Sequence, residues 1–152
     1  MIKKTITSED FEGNQKTKDY YFHMNQVEFT KLNGEVPGGL EKRINEIIEE
    51  RDEVAMLRMV DLLVSRGYGE RDPEDGSFTK IGKNGRPLYE KFINTSAYDK
   101  LIIELIQGEN SIVSFLRGMM PKEVQKRMDE EAKKTKSNED NGQPKLTPVP
   151  NN

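Results

Sequence analysis

The spacing of apolar positions changes along the chain, and each change predicts a different kind of element. "IKKTIT" (2–7) is β-branched and alternates, with Ile2 and Ile6 on one face. "TKDYYFHM" (17–24) puts Tyr20, Phe22 and Met24 on one face. The polar segment between them carries Gly13-Asn14, a turn pair, so the two runs predict an antiparallel hairpin over residues 2–24. A lone hairpin is marginal in water, so this one must dock on something.

From Asn25 the period becomes helical. Asn25 followed by Glu28 has the spacing of a capping box, predicting a short helix over "NQVEFTKL". "NGEVPGG" reads as a linker. Leu40, Ile44, Ile47 and Ile48 then mark an amphipathic helix. The next segment, Val54 to Val64, is apolar on most of its circumference, with Arg58, Asp61 and Ser65 on one narrow strip. Such a helix is either the central core helix or one that also meets another chain. Asp52 suits its N-cap, and Gly67 and Gly69 suit its end.

After a turn-rich loop, "RPLYEKFINT" predicts a short helix with Leu88, Phe92 and Ile93 inward. Ser96 reads as the N-cap of a helix with Tyr98, Leu101, Ile102, Leu105 and Ile106 on its apolar face, ending at Gly108. "NSIVSFLRGMMP" gives one more helix before Pro121. A thin stripe of Val124, Met128 and Ala132 predicts a charged helical extension over 122–134. From Thr135 the chain turns to Ser, Asn, Asp, Gly, Gln and Pro, which predicts a disordered tail over 135–152. The expected fold is therefore α+β, mainly α: a hairpin (2–24) packed on a helical body (25–121), together one domain over 1–121.

Composition narrows the functions. Only 33% of the 152 residues are hydrophobic and 34% are charged, and the apolar residues concentrate before Pro121. The net charge is −3 with interspersed signs, so neither nucleic acid nor a membrane is the expected partner. No apolar run is long enough to span a bilayer, and the N-terminus has no signal-peptide pattern, which points to the cytoplasm. With no Cys there is no disulfide, thiolate metal site or cysteine nucleophile, and His23 is the single histidine. No metal and no cofactor is expected.

The most suggestive stretch, "VSRGYGERDPEDGSFTK" (64–80), fails three tests. "GKNGRP" lacks Walker spacing, Gly67 and Gly69 follow a helix rather than a strand, and counting back from Gly76 puts Arg71 where a calcium loop needs an acid. It reads as a connection. His23 has no partner ligand nearby, and Glu49-Glu50 and Glu130-Glu131 point to different helix faces. No catalytic residue is expected, and the chain does not read as an enzyme. Met56, Met59, Met119 and Met120 have two readings, as core fillers or as an adaptable apolar binding surface; with Leu57 they are the candidate partner-binding residues.

"KKTITSEDFEGNQKTKDYYFHMNQVEF" is followed in order by "GGLEKRINEII", "LLVSRGYGERDPEDGSFTK", "FINTSAYDKLIIEL" and "FLRGMMP", which together cover roughly residues 3 to 121. The first resembles the opening hairpin and first helix start, and the others the later segments in the same order, of a known family, the tail assembly chaperones of long-tailed phages and prophages of Gram-positive bacteria. The resemblance implies a protein that binds the tape measure protein and keeps it soluble until the tail tube polymerises around it. It also implies a longer frameshifted product that contacts the tail tube protein, and absence from the finished virion. Self-association stays open. The rival reading is a small adaptor or regulatory protein that binds another folded protein through an apolar helical surface.

Overall fold

The computed structural model describes residues 1–108 and 111–140. They divide into two compact units, 1–121 and 122–152. The first holds four strands and six helices, and the described part of the second is one helix, α7 (Lys122–Asp140). This helix continues past the expected boundary at 134, and its side chains from Asp129 to Ser137 are exposed. The rest of the expected tail, 141–152, lies outside the described residues.

β1 (Ile2–Glu9) and β2 (Gln15–Phe22) form the expected hairpin, in register from Ile2 opposite Phe22 to Glu9 opposite Gln15. Its turn is built on Asp10. The carboxylate accepts the backbone N–H groups of Glu12 (3.0 Å) and Asn14 (2.9 Å), and Gly13 takes the left-handed conformation (φ 85°) that closes the loop. The outward face is a polar ladder: Thr5 donates to Asp19 (2.6 Å), and the Thr7 and Thr17 hydroxyls meet at 2.8 Å. The inward face carries Ile6, Tyr20 and Phe22, all buried.

The first two helices follow their sequence signals. α1 (Gln26–Glu35) begins with a complete capping box, in which the Asn25 side chain accepts from Glu28 N and the Glu28 carboxylate accepts from Asn25 N, both at 2.9 Å. α2 (Leu40–Glu50) buries Leu40, Ile44 and Ile47. It ends on Arg51 in the left-handed region (φ 52°), whose N–H returns to the carbonyls of Ile47 and Ile48. Asp52 then caps α3 (Glu53–Gly67) by accepting from Ala55 N at 2.9 Å. Two residues thus turn the chain from one helix into the next.

The stretch expected to be a plain connection is instead a second hairpin. β3 (Tyr68–Arg71) pairs antiparallel with β2 through Tyr21–Gly69 and Phe22–Tyr68, and β4 (Phe78–Thr79) closes the sheet in the order β1-β2-β3-β4. Gly69 permits it. A Cβ there would lie 2.5 Å from the carbonyl oxygen of Thr79 and collide with the Phe78 ring, so only a residue without a side chain fits between the two strands. Lys80 ties the hairpin down by donating to both carboxylate oxygens of Glu28 (2.9 Å each) and to the carbonyl of Arg66 (2.7 Å).

α4 (Tyr89–Phe92), α5 (Ser96–Gln107) and α6 (Ser111–Met119) complete the body. Thr95, not Ser96, caps α5 through its hydroxyl. Ser96 is the first helical residue, and its hydroxyl donates instead to the carbonyl of Glu9 at 2.5 Å. Phe92 is buried as expected, but Leu88 is only half-buried and Ile93 is exposed, because α4 is a single turn with one face available. Phe22 sits where the layers meet. Its ring is 5.1 Å from Phe115 on α6, 5.7 Å from Tyr68 on β3 and 6.0 Å from Phe92 on α4. Tyr68 and Phe92 stack at 4.4 Å. This aromatic cluster docks the hairpin on the helices.

Candidate partner-binding surface

The short α2–α3 connection leaves a groove between the two helices. Ile47, Val54, Ala55, Met59 and Leu62 form its apolar lining, and Arg43, Asp52 and Arg58 its polar part; its volume is about 370 Å³. Val54 and Leu57, on the first turns of α3, are 57% and 46% exposed. The expected strip of Arg58, Asp61 and Ser65 continues the same outward side: Arg58 is exposed and the other two are half-buried.

Asp61 is held by two tyrosines. The Tyr89 hydroxyl donates to its Oδ1, and the Tyr98 hydroxyl donates to the same oxygen at 2.5 Å. Burial, then the hydrogen bond to Asp61, pushes the Tyr98 phenol up to about 12. The Tyr89 phenol is pushed up further by the same causes. Phenols with such values are donors at neutral pH, not bases. The cluster clamps α4 and α5 to α3.

The five sequence candidates separate. Leu57 is exposed and Met56 half-buried, both on α3. Met59 is buried and contributes to the groove lining. Met119 (0% exposed) and Met120 (1%) are buried, which of the two readings left open for them matches the core filler and not the binding surface. The cause is the hairpin. Met24 N donates to the carbonyl of Met119 at 3.0 Å, so β2 runs into the end of α6 and covers it. Val54, Ile47, Ala55 and Leu62 were not selected from the sequence. For Val54 the signal was its place in the first turn after an Asp cap.

Other titratable and concave features of the described residues are these. His23 is half-buried with its ring edge-on to Phe78 at 5.9 Å. Burial lowers its pKa, with the N-terminal amine and Lys80 acting the same way. Among the described residues no group of three or more His, Cys, Asp or Glu could hold a metal ion, and no helix is long and apolar enough to cross a membrane. A wider depression of about 970 Å³ lies along β3, β4 and residues 81–94. Its Arg71, Lys83, Arg86 and Lys91 are interleaved with Glu70, Asp72 and Glu90, so no sign of charge prevails.

The fold is a small α+β one: a sheet docked on helices, with an apolar cleft on a capped helix pair. A family model described as phage tail assembly chaperone matches residues 1–151, and the chain belongs to that family. No curated protein and no solved structure gives a significant match. Membership gives the protein a chaperone role in phage tail assembly and implies that the role is non-enzymatic.

Proposed function

We propose that this chaperone binds the tape measure protein of its own phage and keeps it soluble until the tail tube polymerises around it. The observation that carries the reading is two large exposed apolar side chains on α3, Val54 in the lining of an apolar groove between α2 and α3 and Leu57 three residues further along the helix. An amphipathic helix laid in that groove covers its own apolar stripe and can no longer pair with its copies. Arg43 and Arg58 supply donors for acidic side chains flanking such a stripe. The same reading places the protein in the cytoplasm of the infected or lysogenic host, a Gram-positive bacterium, and leaves it out of the finished virion. A longer frameshifted form then carries the complex to the tail tube protein.

The test is co-expression with the tape measure protein encoded by the same phage. Val54→Asp and Leu57→Asp should melt within about 0.5 kcal/mol of wild type, as exposed substitutions do, and should lose tape measure solubility. Met119→Asp should unfold, because it buries an unpaired charge. Asp variants at 54 and 57 that keep the tape measure soluble would remove the groove from the mechanism. A wild-type protein that never solubilises its tape measure would remove the function itself.

A further inference from the structure

We propose that Asn84 is a modification site: its side-chain amide deamidates without an enzyme, through a succinimide formed with Gly85, to aspartate and isoaspartate. The chain carries Asn-Gly at 33–34, 84–85 and 141–142. Asn141-Gly142 lies outside the described residues, and the other two pairs sit in opposite settings.

Asn84 and Gly85 are exposed in the turn between Gly82 and Arg86. The Asn84 side chain folds back along the chain, and its Oδ1 accepts from Arg86 N at 3.1 Å. That bond holds the side chain over the intervening peptide, whose nitrogen belongs to Gly85. It also draws electrons towards Oδ1, which makes Cγ more electrophilic. The Arg86 N–H is then in place for the negative charge that gathers on Oδ1 during attack. Gly85 has no side chain to shield its nitrogen, and at φ 77° it faces open space where a Cβ would stand. Its N–H donates to Gly82 O at 2.9 Å, so one bond of an exposed turn must open first, and such bonds open readily.

Asn33 shows the opposite case. Asn33 and Gly34 both lie within α1. Oδ1 of Asn33 accepts from Leu40 N at 2.8 Å, which ties α1 to the start of α2. Attack by Gly34 N requires the last turn of α1 to unwind and the backbone of buried Leu40 to be released.

The step at Asn84 balances with water alone. Gly85 N loses its proton and bonds to Asn84 Cγ, the Cγ–Nδ2 bond breaks, and the nitrogen leaves as ammonia. Water then opens the ring at either carbonyl. One product is aspartate; the other runs the main chain through the former side chain and lengthens it by a methylene. Both place a carboxylate beside Lys83 and Arg86 in the depression along residues 81–94. Isoaspartate also lengthens a turn whose ends are fixed by Gly82 N on Arg86 O (2.8 Å) and by the Ile81–Pro87 bridge, so those contacts are lost.

The test keeps the full-length protein warm in mildly alkaline buffer, native and in urea, and then maps tryptic peptides by mass. The Asn-Gly pairs fall on separate peptides, 32–42, 84–91 and 137–145. In the native protein Asn84 should convert at least roughly tenfold faster than Asn33, and in urea the two should convert at similar rates. Asn84→Gln should stop conversion at 84, because its ring closure would need six members. Equal native rates at 33 and 84 overturn the proposal. So does a gap that persists in urea, since neighbouring residues and not the fold would then set it. A native Asn84 that reacts more than roughly tenfold slower than in urea would show that the turn protects it, and also overturns the assignment. Aspartate without isoaspartate would mean direct hydrolysis and would sink the succinimide route.

Discussion

Replacing Phe22 by alanine should cost about 4 kcal/mol of folding stability, within the roughly 3–5 kcal/mol that large-to-small aromatic changes cost in cores. The upper half of that range applies for a structural reason. Phe22 is fully buried, and its ring contacts come from three separate elements: β3, α4 and α6. The space cannot close easily, because the β2 backbone is held on both sides at this residue, by Ile2 of β1 and Tyr68 of β3. Each aromatic pair adds about 0.5–1.5 kcal/mol beyond the area it buries. A domain of this kind has roughly 5–15 kcal/mol in total, so the variant sits near the edge of folding. Urea unfolding followed by circular dichroism measures it: the midpoint should fall with the slope unchanged. Phe22→Leu, which keeps most of the volume, should lose well under half as much. A double change with Phe115→Leu should be less than additive, since the two rings share one contact. A Phe22→Ala loss below about 1.5 kcal/mol would show that the hairpin is not docked through this ring.

Two further predictions concern titration. The Tyr98 phenol is raised from 10.0 to about 12, by burial first and Asp61 next. Its contribution to stability is therefore complete below pH 10 and is lost as the pH climbs through about 12. Asp61→Asn should bring that ionisation down towards 10, read as phenolate absorbance, and an unmoved titration would show that Asp61 has no part in the shift. The Asp10 carboxyl is lowered from 3.8 to about 2, by the hydrogen bond from Lys16 first and then the N–H of Asn14. Whatever it contributes is present above pH 3.8 and is lost as the pH falls through about 2. A carbon-detected NMR titration should find Asp10 still ionised at pH 3, and Lys16→Met should move its midpoint up.

The elements visible in the sequence are those whose cause is local. Asn25 with Glu28, Asp52 before Ala55, and the Gly13-Asn14 turn each act over three or four residues, and each is realised. The second hairpin was invisible for the opposite reason. Tyr68 to Arg71 is too short and too charged to alternate, and becomes a strand only because Phe22 and Tyr21 offer an edge far away in sequence. The choice between the two readings of the methionines was hidden for the same reason. Helical spacing puts Met119 on an apolar face, but whether that face is core or surface depends on the hairpin landing there, which Met24 and Phe22 decide. Conversely, Val54 belongs to an apolar run that the sequence left open between core and interface, and it is exposed. Periodicity gives a helix its faces but does not tell how far a neighbour reaches along it.

A protein that handles an aggregation-prone partner must expose something sticky without sticking to itself. In the α2–α3 groove the apolar side chains are few and sit between Arg43 and Arg58, so the exposed patch stays small.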